Sequence, residues 1–232
     1  MPFASGIVWM IGSIGAMYWS YRYEIPLLKR REQECTGGTE TPIRGDFLIA
    51  RHERAALLAL ILCGLFSAAV GYAAQKFALS PVAYLKLLAA YLVLSGVAVV
   101  DWELLLIPNS FVVTLMAARG VAFAAELILQ KGEAGIQAIN SLVALVVGLL
   151  LLLLLKKITR GGLGFGDIKL LSAFGFLCGV RAFCFVLTLS VSLSALASLP
   201  FLIARRAKIK DALPLGPFIY LGFGASVLLG AV

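Results

Sequence analysis

Eight apolar stretches separated by short polar segments organise this chain. They cover roughly residues 3–19, 55–74, 82–100, 111–129, 136–155, 167–178, 183–204 and 213–232. Most approach the roughly 20 residues that an α-helix needs to cross the hydrocarbon core of a bilayer. The fifth ends in seven consecutive leucines, Leu149 to Leu155, and the sixth is short, stopping at the Cys178-Gly179 pair. The pattern predicts an all-α, polytopic integral membrane protein with about eight transmembrane helices. No internal repeat and no separate soluble domain interrupts it. Residues 1–54 read as an N-terminal membrane anchor with a short loop, and residues 55–232 as the main transmembrane domain.

Composition strengthens this picture. The 232 residues are 61% hydrophobic, and only 14% are charged, where soluble domains carry about a quarter. The net charge is +8, which raises nucleic acid as a partner, but the positions of the cations exclude it. Lys156, Lys157, Arg160 and Lys169 share one turn, and Arg205, Arg206, Lys208 and Lys210 another. Residues 20–54 hold seven Lys and Arg, while the turns on the other side hold only Lys76, Lys131 and Arg181. This is the asymmetry of a membrane protein with its basic loops in the cytoplasm.

No cation precedes the first span, and Arg22, Lys29, Arg30 and Arg31 follow it. That order predicts a retained anchor with its N-terminus outside, since a cleavable signal carries its charge first. His52, the only histidine, reads as a solvated loop residue. The four cysteines, Cys35, Cys63, Cys178 and Cys184, form no CxxC pair. They carry no zinc or redox signature and read as small packing residues.

Acids in apolar surroundings carry the chemical information. A carboxylate in hydrocarbon is costly, so it faces a cavity, finds a partner or does chemistry. Asp101 closes the third span, ahead of Ile107-Pro108-Asn109, and Asp167 opens the sixth, within Gly164-Phe165-Gly166-Asp167-Ile168-Lys169. The predicted topology brings both to the cytoplasmic face. Two carboxyls near enough to share one proton suit peptide hydrolysis. One stays ionised and takes a proton from water, while the other donates to the scissile carbonyl. No metal or covalent intermediate is needed. Gly164 and Gly166 allow a sharp turn and close approach of a peptide. Asp167 at the first turn of a helix meets a dipole that favours the anion. With Lys169 beside it, Asp167 reads as the base and Asp101 as the donor. The structural alternative is that Asp167 is a helix cap and Asp101 a boundary acid meeting water; chemistry alone does not separate the two.

Asp101 with Ile107-Pro108-Asn109 resembles the first aspartate motif of the type IV prepilin peptidases. Gly164-Phe165-Gly166-Asp167-Ile168-Lys169 is similar to their second, Gly-x-Gly-Asp-x-Lys. Pro214-Leu215-Gly216-Pro217-Phe218 looks like the segment that opens their last span. The motifs occur in family order, over about residues 55–232. The resemblance implies eight spans, a bacterial inner membrane location and catalysis by Asp101 and Asp167 at the cytoplasmic face. It implies pilin-like or pseudopilin precursors as substrates, with a short basic leader ending in Gly before an apolar helix. The system served would be a type IV pilus or a protein secretion apparatus. Gly164, Gly166 and Lys169 are then candidate substrate-binding residues.

The chain departs from the family in its first loop. Many members carry two CxxC pairs there and N-methylate the product with S-adenosylmethionine. This loop is short and has only Cys35. The expectation is a peptidase without metal or cofactor, S-adenosylmethionine entering only if a methyltransferase activity is present. Glu103 reads as a surface acid. Arg119 and Glu126, two turns apart on one helical face, read as too distant for a direct pair. Trp19, Tyr21 and Trp102 read as interfacial aromatics. The rival reading is an ion- or proton-coupled transporter using Asp101 and Asp167; transporters place such acids near mid-membrane and often show inverted repeats.

Overall fold

A computed structural model describes residues 2–28, 53–77, 80–130, 132–159, 162–203 and 214–231. His52, Cys35 and the loop cations Lys29 to Arg31, Lys131, Arg160, Arg205, Arg206, Lys208 and Lys210 lie outside them. The described residues form eight helices and no strand: α1 (Pro2–Trp19), α2 (Glu53–Phe77), α3 (Pro81–Leu104), α4 (Asn109–Leu129), α5 (Ala134–Ile158), α6 (Phe165–Cys178), α7 (Val180–Ile203) and α8 (Gly216–Leu228). The first continues through a π-helical turn, Ser20–Glu24, to residue 28. Helices α3, α4 and α5 and the Val180–Leu199 part of α7 are long and apolar enough to cross a membrane. The expected all-α membrane architecture is therefore what the chain adopts.

Local chemistry sets the helix ends. Ser80 caps α3, its side chain accepting from the Ala83 N–H at 3.1 Å, and Pro81 follows in the first turn. At the other end Leu105 adopts a left-handed conformation, φ 51° and ψ 33°, and its N–H closes on the Asp101 carbonyl at 2.9 Å. Pro108 then sits extended as the N-cap of α4. The result is a tight reversal over 105–108. Asp101 does not close its helix as the sequence suggests: α3 runs on to Leu104, which leaves Asp101 in the last turn and buried.

Helix α8 lies at the centre, packed on α3, α7 and α2. Helix α6 contacts α4, α5, α7 and α3, and α1 covers α2 and α3. An aromatic core joins them. Tyr91 of α3 has ring neighbours in Trp9 at 4.9 Å and Tyr220 at 5.0 Å, and Phe174 meets Phe223 edge-on at 5.2 Å. The outward faces of α4 and α5 are apolar, Val121, Ile128 and Ile136 among them. Such surfaces suit lipid, where helix association rests on close packing and interhelical hydrogen bonds.

Two buried polar clusters run through this interior. In one, Ser13 Oγ donates to Ser67 Oγ at 2.7 Å, Tyr91 donates to the Tyr220 hydroxyl at 2.7 Å, and both phenols lie 3.1 Å from Ser67 Oγ. The other corrects the reading of Arg119 and Glu126. Their side chains meet directly, Nη1 to Oε2 at 2.9 Å. Two turns separate the Cα atoms by roughly 10 Å, but the arginine is long and the glutamate leans towards the helix N-terminus, where Arg119 lies. Lys86 of α3 binds the other carboxylate oxygen at 2.9 Å and Gln137 of α5 at 3.0 Å. Arg119 Nε donates to Ser141 of α5 at 2.9 Å. The sequence reading overlooked Lys86, although a lysine more than one turn inside an apolar span was the signal for it.

Candidate active site

Three helix ends converge at one end of the bundle: the last turn of α3, the first turn of α6 and the start of α8. Asp101 comes from the first and Asp167 from the second, 66 residues later in the chain. The two carboxyls are near enough for the charge of Asp101 to act on Asp167. Asp101 is buried, and Asp167 is partly exposed. One member of the pair is thus held in the protein interior and the other opens towards the surface.

Each carboxyl has main-chain partners. Asp167 is the third residue of α6, whose N-cap is Gly164. Its carboxylate reaches back to the Gly164 N–H, half of the reciprocal arrangement that satisfies free donors at a helix start. A Cβ on Gly164 would lie 2.8 Å from Asp167 Oδ2, so a side chain there would push the carboxylate aside. The capping role and proximity to Asp101 therefore coexist in one side chain. Asp101 Oδ2 accepts from the Gly216 N–H at 2.6 Å, and the Leu215 N–H adds a second donor. These are charge-assisted bonds to an acceptor with little solvent around it.

The other candidates take different places. Gly166 packs against the reversal, where a Cβ would stand 3.1 Å from Ile107 Cβ. Lys169 is exposed and donates to Asn109 Oδ1 at 3.4 Å; among the described residues it forms no ion pair with Asp167. The Ile107-Pro108-Asn109 block and the Gly-x-Gly-Asp-x-Lys block are therefore in contact, through Ile107 with Gly166 and Asn109 with Lys169. Lys156 lies over the Phe165 ring, 3.1 Å from its centroid, which brings a basic residue from the end of α5 to the same membrane end. Trp102 is half exposed there.

Sequence reasoning named the Pro214 to Phe218 patch without a physical role for it. What it missed was the main-chain contact from Gly216 to Asp101. A main-chain donor leaves no side-chain signature, and Gly216 was the only available sign. Among the described residues no three or more His, Cys, Asp and Glu side chains gather as a metal cluster would require. The chemistry at hand is that of two neighbouring carboxyls, each bonded to main-chain N–H, one buried and the other partly exposed.

Residues 87–199 match the Type IV leader peptidase family. A prepilin leader peptidase/N-methyltransferase of Bacillus subtilis (strain 168) is 33% identical over 136 residues, 58% of this chain and 51% of that protein. The chain thus spans about half the length of this curated relative. No solved structure matches it. The region matched by the family model contains Asp101 and Asp167, all of the helix that carries Asp167 and most of the one that carries Asp101, and over these residues the chain is similar to the type IV leader peptidase family.

Proposed function

We infer that this chain is a membrane-embedded aspartic endopeptidase that removes the basic leader of type IV prepilin-like precursors. The observation that carries this reading is that Asp101 and Asp167, from two motifs far apart in sequence, lie at converging helix ends near enough for one charge to act on the other, with the third motif bonded to Asp101 through Gly216. Like charges at close range favour sharing one proton. In the reaction, the ionised carboxyl takes a proton from water as its oxygen attacks the scissile carbonyl carbon. The protonated carboxyl gives its proton to the carbonyl oxygen. The resulting diol collapses when the amide nitrogen is protonated and the C–N bond breaks, which restores one proton to the pair. Because the two groups are coupled, the proton belongs to the pair rather than to either residue. The contact of Lys169 with Asn109 removes one reason for calling Asp167 the base.

The cytoplasmic face is supported by the basic residues near the site. Lys156, Lys157 and Lys169 lie at or beside the helix ends that carry the aspartates, as the charge rule for cytoplasmic loops expects. The motif resemblance supports the inner membrane location and the pilin-like or pseudopilin substrates, and the relative's name, prepilin leader peptidase/N-methyltransferase, supports prepilin-like substrates. The peptidase needs no cofactor, and S-adenosylmethionine is relevant only to a methyltransferase activity. The test uses the purified chain in lipid vesicles with a precursor bearing a basic leader, a glycine and an apolar helix. Mass spectrometry should find cleavage after the glycine. An intact precursor with the parent protein, under conditions where the Bacillus relative cleaves it, would refute the assignment.

A further inference from the structure

The aspartate pair accounts for two of the three helix ends at the site, leaving α8. Its first residue, Gly216, directs its N–H at Asp101 Oδ2 across 2.6 Å. The contact leaves no room for a side chain: a Cβ on Gly216 would stand 2.8 Å from Asp101 Cβ and 3.0 Å from Oδ2. One turn further along α8, Tyr220 is buried and accepts from the Tyr91 hydroxyl of α3 at 2.7 Å. Ser67 of α2 stands 3.1 Å from both hydroxyls and is joined to Ser13 of α1. So α3 and α8 are tied at two levels, hydroxyl to hydroxyl in the interior and N–H to carboxylate at the membrane end.

These ties have a geometric consequence. A buried phenol without a partner is costly, so the pairing of Tyr91 with Tyr220 favours one register of α8 along α3. A slip of one residue is roughly 1.5 Å of rise, enough to break both the phenol pair and the bond to Asp101. An aspartate otherwise turns about two side-chain bonds. With the Gly216 N–H on Oδ2 and the Leu215 N–H also bonded to the carboxyl, that rotation is restrained.

We propose that α8 is a working part of the active site: the Gly216 N–H orients Asp101, and the Tyr91–Tyr220 hydroxyl pair positions that N–H. This rests on the aspartic-peptidase reading above. Gly216 is a positioning group that acts at the carboxyl, and Tyr91 and Tyr220 are positioning residues that act through it. Reacting groups misplaced by about 1 Å lose rate by up to a hundredfold, and the loss falls on kcat when substrate contacts are untouched.

The test is precursor cleavage by the full chain in lipid vesicles, with kcat, KM and melting temperature measured for each variant. Gly216→Ala should lower kcat by about a hundredfold. Tyr220→Phe and Tyr91→Phe each remove one hydroxyl and keep the ring. Each should lower kcat by about tenfold with KM within twofold of the parent. Because both remove the same hydroxyl pair, and beyond it each loses only its own contact with Ser67, the loss in the double variant should fall well short of the product of the single ones. Ser226→Ala, buried in α8 and, among the described residues, bonded through its hydroxyl only within its own helix, should keep the parent kcat. Tyrosine variants with parent kcat, or with losses that multiply in the double variant, would overturn the proposal even if Gly216→Ala does not fold. Asp101→Asn in the same assay separates the two ideas. If it cleaves like the parent, the aspartic reading falls. If it is inactive while Gly216→Ala and Tyr220→Phe are normal, only the role of α8 falls.

Discussion

Arg119 Nη1 and Glu126 Oε2 stand 2.9 Å apart on one helix, and both side chains are sealed from their surroundings. Lys86 approaches the same carboxylate from α3, and Gln137 and Ser141 of α5 complete the cluster. Lys86 precedes Asp101 by 15 residues, roughly 22 Å along α3, so the charges and the aspartate pair occupy opposite ends of the bundle. Charges inside a membrane protein are expensive unless they are paired and hydrogen-bonded. Here two cations answer one anion, and amide and hydroxyl groups take up further valences. The cluster joins α3, α4 and α5 through side chains alone.

Breaking that cluster should be costly, and removing it whole should not. Glu126→Gln leaves two cations without their anion. It should lower stability by about 3–5 kcal/mol, read as a lower melting temperature of the purified protein in detergent. The triple variant Lys86→Met, Arg119→Met, Glu126→Leu carries no charge there and should recover most of the loss. A parent-like melting temperature for Glu126→Gln would mean the ion pairs contribute little.

Replacing either aspartate should end catalysis without disturbing the fold. Asp101→Asn and Asp167→Asn keep size and some hydrogen bonding but cannot exchange a proton. Each should lower the cleavage rate by at least about a hundredfold. The double variant should be no worse than either single one, since both remove the same shared proton. Glu103→Gln, two residues from Asp101 in the same turn, is the control and should lose little. Near-parent cleavage by a well-expressed single variant would reopen the transporter reading.

A side chain at Gly164 should disturb the Asp167 carboxyl. Its Cβ would meet Asp167 Oδ2 at 2.8 Å, so Gly164→Ala must turn the carboxyl aside and should lower kcat by about tenfold or more. Gly120 of α4 has open space around its Cβ position. Gly120→Ala should keep the parent kcat and gain up to about 1 kcal/mol from helix propensity. Equal activities for the two variants would argue against a strict geometry at Asp167.

The topology is open to reporter fusions. Fusions in the loops that hold Arg30, Arg160 and Arg206 should report the cytoplasm, and fusions at both termini the outside, following the distribution of Lys and Arg. A reporter active outside the membrane at any of the three loops contradicts the orientation.

Metal and methylation follow from the first loop. With a single cysteine at Cys35 and no CxxC pair, purified protein should contain no stoichiometric zinc by elemental analysis. Mass spectrometry of a processed precursor should show an unmethylated new N-terminus. Stoichiometric zinc would mean that the loop binds metal through another set of ligands.

The eight apolar runs, and the helices they become, were legible in the chain because lipid admits few other solutions for a continuous apolar segment. Asp101 and Asp167 stood out for the same reason: an acid at the end of an apolar run is conspicuous, and the glycines and Ile107-Pro108-Asn109 around them added to the signal. The partners were not legible. Glu126 meets Arg119 by side-chain reach, and Lys86 joins them from another helix, so spacing along one helix gave the wrong answer. Lys169 sits two residues from Asp167 yet turns to Asn109. The bond from Gly216 to Asp101 joins residues 115 positions apart and uses a donor that nearly every residue possesses, so nothing in the letters marks it. One-dimensional hydrophobicity determined which segments enter the membrane and which acids are exceptional there. The packing of α3, α6 and α8 decided which groups those acids meet, because hydrogen bonds and ion pairs act over about 3 Å and only the tertiary arrangement brings distant residues within that range.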